Sequence, residues 1–402
     1  MKIIICGAGQ VGYGIAKRLV EENNSVTVIE QSAELTQKIS ETLDVQAILG
    51  HGSHPDVLDR AGASDADMLI AVTYADEVNM VAAQIAHSVF DIPLKIARIR
   101  SQSYLKPEWQ DLFSRENMPI DVIISPELEV GKTVLARLDN PGAAETASFA
   151  EDRVRLIAVH LDEDCPVTNT PLQQLTELFP ELNATVVGIQ RENSFFVPSK
   201  SDQMLPLDTA FVITDAERVN RTLSAFGFDQ TKSKRVVIVG GGNIGLYVAQ
   251  TLEKKQDTNV KIIESSKKRA VSIANALKRT VVLHGNGLDQ AMLKEAGINR
   301  TDTVVSLTNS DETNVLSSVI AKQHGAKRAL CLVNDNRYSA LSATLNIDAF
   351  IDPKSITISR ILQHVRKGRI RRLYSVSDGQ AEVVEAEALE TSPLVGTPLH
   401  KA

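Results

Sequence analysis

Two copies of a doubly wound α/β unit, each followed by a small α+β lobe, are what the 402-residue sequence predicts. Three observations carry that expectation. A short apolar run ends in a glycine-rich turn at Gly7–Gly12 and leads into an apolar-periodic helix. The same strand, turn and helix return 233 positions later, at Gly240–Gly245. After each turn, strand-like and helix-like segments alternate, as they do in a parallel sheet covered by helices. An internal repeat of this length outranks any local motif in deciding the fold.

The first copy opens with Lys2-Ile3-Ile4-Ile5-Cys6, a run of strand formers. Gly7-Ala8-Gly9-Gln10-Val11-Gly12 follows with the G-x-G-x-x-G spacing of dinucleotide-binding, Rossmann-like sheets. In that fingerprint Gly7 allows the tight turn, Gly9 a close approach to a pyrophosphate, and Gly12 close helix–strand packing. The helix N-terminus then offers free N–H groups and a partial positive charge. Glu30 closes the next apolar run, where an acid meets adenosine ribose hydroxyls and repels a 2′-phosphate. The second copy repeats the set with Gly240-Gly241-Gly242-Asn243-Ile244-Gly245 and Glu264. Lys267-Lys268-Arg269 just beyond Glu264 reads as a solvated helix start and weakens the exclusion of a 2′-phosphate there.

Taken in order, strands are expected at Ile3–Cys6, Val26–Ile29, Ala47–Leu49, Met68–Val72, Lys95–Arg98 and Asp121–Ile124. Helices are expected at Leu35–Leu43, Asp56–Arg60, Val78–Phe90 and Pro107–Asn117. Ser125-Pro126-Glu127 reads as an N-cap with proline at the first helical position. Its helix runs to about Leu138 and stops at Asp139-Asn140-Pro141-Gly142. Beyond the glycine turns, Gly50-His51-Gly52 matches Gly285-Asn286-Gly287, and Thr73 with Asp76, Glu77 and Asn79 matches Thr308 with Asp311, Glu312 and Asn314. Ser125-Pro126 matches Asp352-Pro353. The stretch between the copies predicts strands at Arg155–Leu161, Ala184–Gln190, Phe195–Val197 and Ala210–Thr214, with helices at Thr170–Phe179 and Glu217–Phe226. Two tail strands, Leu373–Val376 and Glu382–Ala386, begin a second such lobe that stays incomplete. The expected division is 1–140, 150–230, 233–368 and 369–402.

Composition narrows the function. The net charge is −7, which gives no support for bulk attraction to nucleic acid or anionic membrane. The three cysteines, Cys6, Cys165 and Cys331, show no metal or redox spacing and read as buried thiols in a reducing compartment. Residue 2 already begins a strand and no apolar run approaches the ~20 residues of a membrane span, so the expectation is a cytoplasmic protein. His51 and His54 could form a metal pair, but no third ligand lies nearby, so no metal is expected. The basic run Arg366–Arg372 has no counterpart in the first copy and reads as a solvated or inter-subunit face, with contact to an acidic partner or headgroups as the alternative.

Two glycine-fingerprinted halves with small lobes resemble the peripheral subunits of bacterial Trk-type potassium uptake systems, the TrkA family, with tandem KTN/RCK domains. The duplication, Gly50–Leu58 and the Thr/Asp-Glu/Asn sets carry the resemblance, which covers essentially the whole chain. Related domains often have a Gly-Asp pair after the third strand, where this chain has His51 or Asn286. The resemblance implies binding of NAD(H) and of ATP/ADP without chemistry. It also implies a homotetrameric ring at the inner face of the cell membrane that gates a TrkH/TrkG-like potassium transporter. Together with the fingerprint and the comparison of the two copies, the candidate nucleotide-binding residues are Gly7 to Gly12, Glu30, His51, Thr73, Arg98 and Arg100 in the first half. In the second they are Gly240, Gly242, Asn243, Ile244, Gly245, Glu264, Asn286 and Thr308.

Two other classes compete. A dehydrogenase needs a general acid or base and a substrate clamp beside the nicotinamide, and Arg155–Asp229 offers only His160, within a strand run. A redox-sensing transcription factor needs a helix-turn-helix or a basic arm, and neither is found. No catalytic residue is therefore assigned. The halves themselves differ at the fifth strand, where Arg98 and Arg100 align with Leu332 and Asn334. Alternate residues share a strand face, so the two guanidiniums can converge on a phosphate beyond the strand ends. The first site is thus expected to separate ATP from ADP and the second to hold NAD(H); the alternative for the two arginines is a surface ion pair with nearby acids.

Overall fold

The computed structural model describes the chain except residues 144, 180–181, 193, 229–231, 336, 339–341, 366–369, 377–379, 391, 393, 397 and 399–402. The basic run therefore lies largely outside the described residues.

The first half alternates β1 (Lys2–Cys6), α1 (Gln10–Glu21), β2 (Ser25–Glu30), α2 (Ala33–Thr42), β3 (Gln46–Leu49) and α3 (Pro55–Arg60). It continues with β4 (Met68–Ala71), α4 (Asp76–Ser88), β5 (Leu94–Arg98), β6 (Val122–Ile124) and α5 (Pro126–Asp139). The strands form one parallel sheet in the order β3-β2-β1-β4-β5-β6. The order reverses beside β1, which places the first glycine turn at the topological switch point where such sheets take ligands. Strands β1 and β4 are apolar on both faces because helices cover both sides.

A five-stranded antiparallel sheet follows, built from β7 (Glu145–Phe149), β8 (Val154–His160), β9 (Ala184–Arg191), β10 (Ser194–Phe196) and β11 (Thr209–Asp215) in the order β10-β9-β11-β8-β7. Helices α6 (Leu172–Leu178) and α7 (Val219–Ala225) accompany it. The second half repeats the first as β12 (Arg235–Val239), α8 (Asn243–Glu253), β13 (Asn259–Glu264), α9 (Lys267–Ala276), β14 (Val281–His284) and α10 (Gln290–Ala296). Then come β15 (Thr303–Ser306), α11 (Asp311–Gln323), β16 (Arg328–Leu332), α12 (Ser342–Leu345), β17 (Ala349–Ile351) and α13 (Pro353–Val365). Its sheet order, β14-β13-β12-β15-β16-β17, is that of the first half. The hairpin β18 (Ile370–Val376) and β19 (Ala381–Ala386) comes last.

Three expectations need correction. Pro107–Phe113 is a 3₁₀ segment interrupted at Trp109, not an α-helix through Asn117. None of its residues is buried, so no apolar face holds a longer helix in place. Strand β7 is absent from the sequence reading because Glu145-Thr146-Ala147-Ser148 has no apolar run to mark it. Ser125 begins α5 without using its hydroxyl as a cap; Gln102 Nε2 donates to that oxygen at 3.1 Å instead.

The two halves exchange their last helices. Val130, Val134, Leu135 and Leu138 of α5 sit in the core of the second half with Val248, Leu252 and Leu332. Ile361 and Val365 of α13 sit in the core of the first half with Ile15, Leu19 and Ile124. Each stripe is thus covered by the other half of the same chain. Each such side chain contributes about 1.5–3 kcal/mol on burial, so the two sheets are held as one body. The final hairpin is tied down similarly, with Val376 in an apolar cluster with Phe149, Leu156 and Phe211 of the first lobe. Ala150 N donates to Glu385 Oε2 at 2.8 Å alongside it.

Candidate functional site

Both glycine turns open into one cavity of about 1540 Å³ between the halves. Gly7 and Gly240 adopt φ of 109° and 105°, in the left-handed region that side chains resist. A methyl group on Gly12 would overlap the carbonyl oxygen of Gly7, and one on Gly245 that of Gly240. Both turns are thus pressed against the first turn of the following helix, as the fingerprint requires. No side chain caps α1 at Gly9 or α8 at Gly242, and Gln10, Val11, Asn243 and Ile244 line the cavity. Ala8 is buried behind them.

Glu30 and Glu264 also line the cavity, and their carboxylates already have work within the protein. Ala8 N donates to Glu30 Oε2 at 2.7 Å and Ser32 N to Oε1 at 2.9 Å. Gly241 N and Ser266 N donate to Glu264, both at 2.8 Å. Each acid therefore pins the glycine turn to the end of the second strand, with lone pairs left over for a ribose hydroxyl.

His51 and Asn286 occupy matching places in the wall. His51 Nδ1 is 2.9 Å from Ser53 Oγ, and its ring stacks on that of His54 with centroids 4.8 Å apart. Asn286 Oδ1 accepts from Leu288 N at 3.0 Å. Among the described residues no group of three or more His, Cys, Asp or Glu side chains is placed to hold a metal.

Thr73 and Thr308 line the cavity through a shared device. Asn79 Oδ1 accepts from Thr73 N and Oγ1 at 2.9 and 2.7 Å, while its Nδ2 donates to Arg98 O at 2.9 Å. Asn314 repeats this with Thr308 N and Oγ1 at 2.8 and 2.7 Å and Leu332 O at 2.9 Å. Asp76 accepts from Arg100 N, and Asp311 from Asn334 N, both at 2.9 Å. These polar groups, with Asp76, Asn79 and Asn314 buried, fasten the ends of the fourth and fifth strands, which explains the recurrence of the Thr/Asp/Asn set. They also fix the alignment of Arg98 and Arg100 with Leu332 and Asn334.

The cations of the two sites differ in position. Arg98 and Arg100 line the first site with Glu127 at the start of α5. Arg100 Nε donates to Glu127 Oε1 at 3.1 Å, and its guanidinium lies 5.3 Å from the Tyr74 ring centroid. Burial lowers the pKa of Arg98, with Arg100 adding to the effect, and its Nε has no partner among the described residues. Burial also opposes the charge of Arg100, but the Glu127 carboxylate outweighs it and raises the pKa. Arg98 ends β5 and Arg100 lies beyond it, so the pair meets at the strand end rather than along one strand face. The second site instead carries Arg269, which sequence reasoning set aside as a solvated charge. Arg269 Nε donates to Gly241 O at 2.7 Å and Nη2 to Asn243 Oδ1 at 3.4 Å. Leu35 holds the matching place in the first half, since Ser32 and Ser266 cap the two residues alike. The repeat could have exposed this contrast had Leu35 and Arg269 been aligned.

Fold and site together define a tandem dinucleotide-binding-type protein with both pockets facing one cleft. The TrkA-N domain model matches residues 3–126 and 236–353. A "Trk system potassium uptake protein TrkA" from Azorhizobium caulinodans is 54% identical over 400 residues, covering 99% of this chain and 87% of that one. The chain belongs to the TrkA family of Trk potassium uptake proteins. Among solved structures, one described as "GsuK channel bound to NAD" superposes with a TM-score of 0.64 at 16% identity, covering 90% of this chain and 62% of that one. Another, "Crystal structure of the GsuK bound to ADP", gives 0.53 at 15% identity, covering 90% and 68%. These two share the fold. No helix among the described residues is long and apolar enough to cross a membrane.

Proposed function

We propose that the chain is a nucleotide-sensing regulatory subunit of a membrane potassium uptake system and catalyses no reaction of its own. It works as a homotetrameric ring at the cytoplasmic face of the membrane and gates a TrkH/TrkG-like transporter. NAD(H) and ATP/ADP are its ligands, bound through Gly7–Gly12, Glu30, His51, Thr73, Arg98 and Arg100, and through Gly240, Gly242, Asn243, Ile244, Gly245, Glu264, Asn286 and Thr308. Residues 1–140 and 233–368 are the nucleotide-binding units, and 150–230 and 369–402 the accompanying lobes.

One observation carries the reading: the two glycine turns face each other across a single cavity whose walls include both exchanged helices. Pro126 and Glu127 begin α5, Pro353 and Lys354 begin α13, and all four line the space. A nucleotide in either site touches a helix that belongs to the core of the other half. Ligands that prefer one spacing of the halves then shift the whole body, and each tenfold preference is worth about 1.4 kcal/mol. The two GsuK structures, crystallised with NAD and ADP, support this reading by analogy of fold.

Calorimetric titration of the purified chain tests it. Two equivalents of adenine nucleotide should bind per chain, NADH should not be consumed with hydroxy- or keto-acids, and light scattering should give a tetramer. Failure to bind either NADH or ATP would sink the reading.

A further inference from the structure

Opposite the nucleotide cavity, at the N-terminal ends of the strands, the second half has a concave surface of about 380 Å³. Arg235, Lys261, Lys294 and Arg300 line it, one each from β12, β13, α10 and the 3₁₀ turn before β15. We infer that this basic pocket binds a phosphate group, supplied either by a free polyphosphate or by an anionic lipid headgroup.

The duplication provides an internal control. Structure aligns the two faces residue by residue: Gly62 and Gly297 turn at φ of 80° and 78°. Each donates its N–H back to the residue three before it, Asp59 and Lys294, at 2.9 Å. Lys294 thus stands where the first half has Asp59. Arg300 likewise ends the 3₁₀ turn that Asp65 ends in the first half. Lys261 pairs with Val237 as Thr27 pairs with Ile4. Three lining positions have changed toward positive charge, while Arg60, whose counterpart Glu295 is not among the lining residues, has changed the other way. In a chain of net charge −7, this concentration is not a share of a generally basic surface.

Nearby acids offset only part of it: among the described residues they pair with Arg235 and not with Lys261, Lys294 or Arg300. Asp302 is engaged by Arg235 Nη2 at 3.0 Å and Lys327 Nζ at 3.2 Å, and the N–H groups of Lys234 and Arg235 donate to its other oxygen. Burial opposes its charge, yet these donors hold its pKa at about 2, so it stays a saturated anion. Glu295 offers only its backbone oxygen, to Lys261 Nζ at 3.4 Å. Lys294 and Arg300 have no ion-pair partner among the described residues. In the first half the same face neutralises itself, with Lys2 Nζ 3.4 Å from Asp65. Several cations converging on a concavity of this size suit a compact anion with several oxygens rather than a flat protein surface.

The test uses the full chain saturated with NAD, so that the glycine turns cannot take the probe. Inorganic pyrophosphate is titrated at 0.15 M salt, roughly physiological ionic strength, and vesicles of phosphatidylglycerol in phosphatidylcholine are co-sedimented in parallel. Lys294→Asp with Arg300→Asp copies the side-chain charges that the first half already carries on this scaffold, so folding should be kept; circular dichroism and NAD binding check that. Support is a loss of at least tenfold in pyrophosphate or vesicle binding in this variant. Binding of pyrophosphate that also displaces vesicles assigns the headgroup, and pyrophosphate binding without vesicle capture assigns the free anion. The reverse change, Thr27→Lys with Asp59→Lys and Asp65→Arg, should create a second equivalent. Equal binding by wild type and variant, or none by either, overturns the inference. So does a change only in self-association, which would assign the face to contact between copies.

Discussion

Arg360 Nε donates to Glu129 Oε2 at 2.7 Å, joining α13 to α5 across 231 positions of sequence. Each residue belongs to a helix that has crossed into the other half, so the pair marks the centre of the exchange. The Arg360 side chain is 40% exposed and Glu129 14%, so solvent screening trims the ion pair's strength. Removing Glu129 also frees Lys132, which lies 2.7 Å from the other carboxylate oxygen. Glu129→Ala should cost about 1 kcal/mol of stability in urea unfolding, with a smaller loss for Arg360→Ala. No change in either midpoint would mean that the crossing is held by apolar contact alone.

A larger loss is expected at Ile361, which is fully buried in the core of the first half although it belongs to α13. Ile361→Ala should destabilise by about 2–5 kcal/mol. Hydrogen exchange should show the weakening in β1 and α1 as well as in α13. Protection lost from α13 alone would contradict the shared core.

Gly12→Ala and Gly245→Ala each push a methyl group onto a backbone oxygen that cannot move aside. Each variant should lose one of the two nucleotide equivalents and keep the other. Gly14→Ala is the control on the same helix, since its methyl group would meet only the Ile358 side chain. Loss of both equivalents from a single substitution would show that the sites cannot be separated.

Arg98→Ala with Arg100→Ala should weaken ATP more than NAD, because only ATP brings a terminal phosphate to the strand end. Arg269→Leu, which copies Leu35, should instead reduce affinity at the second site for any ligand with a diphosphate. Equal effects of both changes on both ligands would count against assigning separate roles to the two cation positions.

Burial pushes the thiols of Cys6 and Cys331 up to about 12, and burial also raises that of Cys165. At pH 8 all three stay protonated, and the thiolate is the reactive form. A disulfide reagent such as DTNB should therefore label none of them in the native protein within minutes, and all three in guanidinium. Fast labelling of one thiol would place it nearer solvent than the fold does.

Asp302, with its pKa held at about 2, gives stability that is fully present above its unfolded value near 3.8. That stability is lost as pH falls through about 2. Asp302→Asn should thus be less stable than wild type at pH 7 by about 1 kcal/mol. The difference should close between about pH 4 and pH 2, and a gap that persists at pH 2 would contradict it.

The sequence exposed those features that recur at fixed spacing. Gly7 and Gly240, Glu30 and Glu264, and the switch-point topology all follow from local pattern plus one repeat. Asn79 and Asn314 were matched without their purpose, since a side chain that bonds a loop to the next strand leaves no periodicity. Strand β7 went unseen although its counterpart was visible in the tail: Phe149 pairs with Val154 as Val376 pairs with Ala381. Glu145-Thr146-Ala147-Ser148 is too polar to be noticed alone, whereas Leu373–Val376 has enough apolar character. The destination of the α5 and α13 stripes was illegible for another reason. Amphipathic spacing shows that a face must be covered, not which sheet covers it.

The exchange of helices also sets an order on the ribosome. When β6 emerges, the first sheet is complete in its strands, but the groove for Ile361 and Val365 stays open until α13 follows more than two hundred residues later. At about 5–20 residues per second that interval lasts on the order of ten seconds or more. Throughout it the nascent chain carries Ile15 and Leu19 beneath a vacancy, while α5 waits for a sheet not yet made. Translation therefore leaves both halves incomplete together, and the first cannot mature ahead of the second.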